Sequence, residues 1–222
     1  KVTTIRTLER ITFSPRGILH ILKFSGLRKY LSKNLLFFIL TTFFLMFAFQ
    51  TFFVPFPVMV IKHLGASNIE IFIMYGVNVG LSTIGYVYTG RIMEKLGGKR
   101  TLKTALTIRI FLFAFSAIIP LIFSGFSGIA VSMVIYGVLG FLWSWIGISQ
   151  INYVSRSAGE GNRGRAVGLY NSMLGLGQVA GSLFSGYITT MFGYSLDFVL
   201  SAILVLIGLI LVNRIYSEKV AP

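Results

Sequence analysis

Cysteine is absent from this sequence and acidic residues are scarce: the 222 residues include six Asp or Glu and two His. Without cysteine there is no disulfide framework, no thiolate nucleophile and no cysteine-based metal site. A membrane-embedded enzyme would need His, Asp or Glu clustered at one interface, whereas His20 and His63 are far apart. These absences argue against an enzyme, and we expect neither a metal nor a cofactor.

Charge is also scarce, at 12% of the residues, against about 25% in soluble domains. Hydrophobic residues make up 55% of the chain, 21 of them are Phe, and the mean hydropathy is +0.82. This composition predicts an all-α protein embedded in lipid.

Six stretches have the roughly 20 apolar residues that a membrane helix needs. They define a bundle over residues 34–216, preceded by a basic segment over 1–33 and followed by a tail over 217–222. The first thirty residues lack the early apolar core of a signal peptide, and because the first residue is Lys we interpret the chain as part of a longer polypeptide. The predicted spans are 35–61, 69–88, 102–123, 129–154, 165–191 and 196–215.

The basic residues are concentrated on one side of this arrangement. Of the 20 Lys and Arg residues, 18 fall in the two termini and the segments 89–104 and 155–165, whereas the opposite loops contain only Lys62. By the positive-inside rule, both termini should be cytoplasmic in a multi-pass protein of the plasma membrane. The net charge of +14 then reflects topology, and no nucleic-acid partner is needed.

The segment 14–34 has two interpretations. Its Leu and Ile residues recur at helical spacing among basic residues, which is typical of an amphipathic helix on the anionic cytoplasmic membrane surface. The alternative is a flexible basic linker.

The segment 90–100 contains glycines followed by Lys99, which raises the question of a phosphate-binding loop. That motif requires Gly five residues before the Gly-Lys pair and a hydroxyl residue after it, but Met93 and Arg100 occupy these positions. The segment is therefore no nucleotide site. Its remaining pattern consists of Gly90, Glu94, Lys95, Gly97, Lys99 and Arg100.

This pattern resembles the loop signature of the major facilitator superfamily, which joins the second and third helices of each six-helix half on the cytoplasmic side. The departures are Glu94, where Asp is commoner, and Gly98, where a basic residue is usual. The resemblance implies a gating and orientation element, and we expect Glu94 to find a basic partner or a helix amino end. The plain alternative is a basic hairpin that obeys the positive-inside rule.

A second glycine pair repeats the spacing of the first. Gly186 and Gly193 are separated like Gly90 and Gly97, and they join spans five and six. Nested three-plus-three inverted repeats occur in such transporters, so we expect spans one to three to correspond to spans four to six.

Spans two and five contain glycines at the spacing that allows close helix packing in lipid. Span five also resembles the fifth helix of a carboxyl-terminal half of the same family. The resemblance implies surfaces that rock against the other half, while the alternative is tight packing within one bundle. The glycines are Gly76, Gly80, Gly177, Gly181 and Gly186.

Few ionisable groups fall within the predicted spans. Arg109 is close enough to the cytoplasmic end of span three to reach the headgroups, so we interpret it as a structural anchor or the partner of a loop acid, with substrate contact as the alternative. Glu70 and Asp197 are interpreted as solvated caps, which leaves no evident proton carrier. The cavity candidates are therefore neutral side chains, and they include Asn78 in span two and Asn171 in span five. The resemblance implies that spans one and four line the cavity, which favours Gln50, Trp143 and Ser144.

The resemblance implies the carboxyl-terminal six-helix half of a secondary transporter, preceded by its central linker. Its expected partners are the bilayer, a small solute of unknown identity, and an amino-terminal half or a second half-transporter. The alternative is a non-transporting remnant or membrane scaffold.

Overall fold

The computed structural model describes residues 30–215. Within this range the chain forms eight α-helices and a short 3-10 helix, Glu160–Asn162. Most of the expected amphipathic segment and the whole tail lie outside the described residues. The helices are α1 (Lys33–Phe53), α2 (Pro55–Leu64), α3 (Asn68–Leu96), α4 (Gly98–Ser116), α5 (Ile119–Ile122), α6 (Gly125–Ser157), α7 (Arg163–Phe192) and α8 (Tyr194–Ile215).

All six predicted spans are mainly helical, and among the described residues five helical stretches are long and apolar enough to cross a membrane. The described chain is therefore an all-helical membrane fold. The sixth span, α7, is 30 residues long but is not among those five. The apolar stretches are Lys33–Leu64, Asn68–Leu96, Gly98–Ile122, Gly125–Ser157 and Tyr194–Ile215.

The first span is broken into α1 and α2 at Val54, which keeps right-handed helical dihedrals. The cause is local: Pro55 has no backbone N–H, so the carbonyl of Thr51 loses its usual helical donor, and Pro57 does the same to Phe53. The break thus leaves main-chain carbonyls near the outer end of the span to find other partners.

The second span is longer than hydropathy predicts, because α3 continues through the charged residues to Leu96. The chain then reverses at Gly97, whose φ of +79° is a conformation that favours glycine. Gly193 ends α7 with a closely similar φ of +81°. In both cases the glycine N–H bonds to the carbonyl four residues earlier, Met93 or Thr189.

Each helix has one principal neighbour: α3 packs against α6, α7 against α1, and α4 against α8, which also packs along α1. Near the break in the first span, a layer of aromatic side chains joins α1, α4 and α8. Phe52 stacks on Phe113 with ring centroids 3.9 Å apart, and Phe198 lies 4.9 Å from Phe52. The guanidinium carbon of Arg109 lies 6.0 Å from the Phe113 ring of this layer.

Candidate functional site

Gly177 and Gly181 lie where α7 crosses α1. A Cβ at Gly177 would lie 2.5 Å from the carbonyl oxygen of Phe43, and one at Gly181 would overlap that of Phe47. Backbone can approach backbone this closely only without side chains, so these two glycines hold α7 against α1.

The other predicted packing glycines have open space around them. A Cβ at Gly76, Gly80 or Gly186 would meet nothing within 4 Å, and the same holds for Gly90. Within the described chain these glycines pack against no other element. Close contacts that the sequence did not single out involve Gly85, next to the carbonyl of Phe141, and Gly140, next to that of Asn78.

The motif of residues 90–100 is helical on both sides of Gly97. Glu94 and Lys95 are exposed on the last turn of α3, and the described residues give Glu94 no hydrogen bond or ion pair. Arg100 is exposed and Lys99 is half-buried on the first turn of α4. The basic partner expected for Glu94 is therefore not supplied by the described part of the chain.

The polar cavity candidates are distributed over two helix contacts and one open face. The amide nitrogen of Asn78 donates to the carbonyl of Tyr136 at 2.6 Å, which ties α3 to α6. Ser144 is fully buried at the same contact, 3.0 Å from the hydroxyl of Thr89. Gln50 is half-buried beside Gly181, and Asn171 is exposed on α7.

Trp143 is half-buried and belongs to an aromatic box around Arg109. The guanidinium carbon lies 4.2 Å from the ring centroid of Phe49, 5.8 Å from Trp143 and 5.4 Å from Phe53. One terminal nitrogen donates to the carbonyl of Leu139 at 3.0 Å. Nε and the other terminal nitrogen have no hydrogen-bond partner in the described chain.

The interpretation of Arg109 as a headgroup anchor is wrong, because the side chain is 0% exposed. Arg109 lies eleven residues after the start of α4, and the rings of α1 and α6 enclose it. These contacts are far apart in sequence, so no local signal announced them.

The interpretation of Asp197 as a solvated cap is also wrong, since this residue is 0% exposed. One carboxyl oxygen accepts hydrogen bonds from Ser185, at 3.2 Å, and from Thr189, both on α7. The other oxygen has no hydrogen-bond partner among the described residues. The available signals were that Asp197 is the only Asp in the chain and that two hydroxyl residues four apart precede it.

The fold is thus that of a multi-pass helical membrane protein whose buried polar groups lie between helices. A family model of the Major Facilitator Superfamily matches residues 5–161 and 148–222, and the chain belongs to this family of membrane transporters. No curated protein matches the chain. The family assigns a general transport role and leaves the solute open.

Proposed function

We propose that this chain is one six-helix half of a secondary transporter, which moves a small solute by alternating access against a second half. The observation that carries the proposal is a row of small and polar residues on α7. All of them are exposed or half-buried, and they recur every three to four residues along the helix: Gly168, Asn171, Gly175, Gln178, Ser182 and Gly186.

Such a row is unfavourable against lipid. Amide side chains in the hydrocarbon region are costly unless they face protein or a water-filled path, and small residues in membrane helices mark packing surfaces. The row also explains why α7 is missing from the sufficiently apolar stretches. Its outer face is suited to another protein surface or to solute, and not to acyl chains.

The exposed face of α3 is the second part of the proposed partner surface. Only 11% of its apolar stretch is buried, although α3 is among the longest helices. Gly76 and Gly80 lie on it with open space above them. We infer that this face, like the α7 row, packs against the second half.

The internal repeat supports the same architecture. Gly85, Gly90 and Gly97 have the same spacing as Gly181, Gly186 and Gly193. The first glycine of each set approaches a main-chain carbonyl of a neighbouring helix, and the last glycine ends its helix with positive φ. These parallels favour a three-plus-three arrangement in which α3 and α7 occupy equivalent places.

Spin labels on single introduced cysteines test the α7 row, since the natural chain has no cysteine to remove. In a complete assembly with the second half in lipid nanodiscs, we expect a label at Gln178→Cys to be relaxed little by oxygen dissolved in lipid, because the row faces an aqueous path or a protein. The matched control is Ile203→Cys on α8, an exposed apolar position that should be relaxed mainly by oxygen dissolved in lipid.

Equal oxygen accessibility at the two positions would contradict the proposal. Saturable uptake by the purified chain alone in vesicles would contradict the need for a second half. If a complete assembly with a second half shows no transport of any solute, the remnant or scaffold alternative is favoured.

The proposed orientation predicts which introduced cysteines react from outside the cell. A membrane-impermeant maleimide should label Asn68→Cys in intact cells, and Lys95→Cys only after permeabilisation, because the basic segments face the cytoplasm. Labelling of both positions in intact cells would overturn the orientation.

A further inference from the structure

The hydroxyl group of Ser185 has two acceptors within hydrogen-bond distance. One is the carboxyl group of Asp197, and the other is a main-chain carbonyl that has lost its helical donor. Ser185 Oγ lies 3.2 Å from Asp197 Oδ2 and 3.1 Å from the carbonyl oxygen of Thr51. That carbonyl needs a partner because Pro55 has no N–H. A serine hydroxyl has a single proton, so it can serve only one of the two acceptors fully.

Two hydrogen-bonding arrangements follow from this competition. When Asp197 is ionised, Ser185 donates to the carboxylate and the Thr51 carbonyl is left without its donor. When Asp197 binds a proton, the neutral carboxylic acid is a weaker acceptor than the carboxylate, so the Ser185 hydroxyl turns to the Thr51 carbonyl while Thr189 still donates to Oδ2. Protonation therefore strengthens the hydrogen bond from α7 to the break after α1.

The fold itself does not require an acid at this position. In the turn between α3 and α4, the residue four positions after Gly97 is Thr101, just as Asp197 follows Gly193. Thr101 is equally buried, and its hydroxyl bonds to the carbonyl of Gly97 at 2.9 Å. A neutral residue is thus sufficient at the equivalent position of the other turn. The presence of a buried carboxyl group at position 197 is therefore not explained by the turn.

The charged groups on the surrounding helices do not neutralise Asp197. On α2, Lys62 and His63 are exposed, and the His63 ring packs against Tyr194 at 5.2 Å. On α4, the guanidinium of Arg109 lies against the rings of Phe49 and Phe113, and the described residues show no ion pair between it and Asp197. The remaining cations of the helices packed against α8 lie near the opposite end of the bundle: Lys33, Lys99, Arg100, Lys103, Arg163 and Arg165.

We propose that Asp197 binds the proton that couples transport, with Ser185 passing the protonation state to the break in the first span. The inference rests on the proposed transport function and names its coupling ion. A proton fits because the Ser185 and Thr189 hydroxyls can donate to the ionised carboxylate and can also accept from the protonated acid. The proton comes from water on the outer side of the membrane and returns to water after the conformational change, so no other bond forms or breaks.

Because Asp197 is the only aspartate, carboxyl-labelled [4-13C]aspartate places a single reporter in the full chain. In nanodiscs, we expect its carbon resonance to move between a protonated and an ionised position in one pH-dependent step. Asp197→Asn should remove the signal, and His63→Gln should leave the step in place. A resonance that stays at one position over the whole pH range in which the chain is folded would overturn the proposal.

Two proline variants test the hydrogen bond from Ser185 to the Thr51 carbonyl. Pro55→Ala restores an N–H donor to the Thr51 carbonyl, which frees the Ser185 hydroxyl for the carboxylate, so the midpoint of the step should move to lower pH. Pro57→Ala restores a donor to Phe53 instead and should leave the midpoint unchanged. Equal shifts in both variants would contradict the role of the Thr51 carbonyl.

Two further measurements distinguish a proton from sodium and distinguish failure of the proton site from failure of the proposed transport function. Replacing choline by sodium in the buffer should leave the midpoint unchanged, and a sodium-dependent midpoint would overturn the assignment to a proton. In a complete assembly, Asp197→Asn should abolish the acceleration of transport by a pH gradient. Absence of transport in the unaltered assembly would defeat the proposed function, whereas absence of the titration step defeats the proton site, whichever way the transport assay turns out.

Discussion

Gly181→Ala is expected to destabilise the chain by about 1–3 kcal/mol, the usual effect of adding a methyl group to a packed contact. The added Cβ would overlap the carbonyl oxygen of Phe47, and main chain cannot move aside as a flexible side chain can. Replacing glycine by alanine inside a helix gains up to about 1 kcal/mol from propensity, so the overlap outweighs the gain. The midpoint of unfolding in sodium dodecyl sulfate measures the difference.

The matched control is Gly186→Ala, on the same helix but with nothing within 4 Å of the added Cβ. Only the propensity gain remains there, so this variant should be as stable as the natural chain or slightly more stable. A similar loss of stability in both variants would mean that α7 does not cross α1 as the structure describes. In a complete assembly the control should instead weaken pairing, because Gly186 belongs to the α7 row.

Hydropathy and charge were sufficient to predict the helices because these signals are local. A run of apolar residues predicts a span, and the spacing of Gly90 and Gly97 predicts a turn after the second span. The exact end of α3 was missed because the backbone continues its hydrogen bonds through polar residues such as Glu94. The hydropathy of the sequence marks the end of the apolar segment, whereas the helix α3 continues beyond that point.

The buried ionisable groups could not be predicted in the same way. Whether Arg109 reaches water depends on Phe49 and Trp143, which lie on other helices. The burial of Asp197 likewise depends on how α7 packs against α8. Pro55 gave the one local clue, since it predicts a carbonyl without a donor, but it does not identify Ser185 as the replacement.

The variants Arg109→Met and Arg109→Ala are expected to differ strongly in stability. Holding an arginine near the centre of a membrane helix costs about 2.5–3.5 kcal/mol. A desolvated cation–π contact returns about 2 kcal/mol, and a hydrogen bond from a charged donor about 1.5–3 kcal/mol. The gains exceed the cost by about 0–2.5 kcal/mol before the two nitrogens without partners are counted, so an apolar side chain of similar length should leave the stability within about 1–2 kcal/mol of the natural chain.

Arg109→Ala should lose about 2–5 kcal/mol, because truncation leaves a cavity inside a ring of aromatic side chains. The same detergent titration measures both variants, and in a Trp145→Phe background the remaining fluorescence reports on Trp143 within the box. Equal destabilisation of the two variants would show that the guanidinium itself holds α1, α4 and α6 together. A stable Arg109→Met variant would instead mean that packing requires only the volume of this side chain. The buried charge would then need a role in transport, as we propose for Asp197.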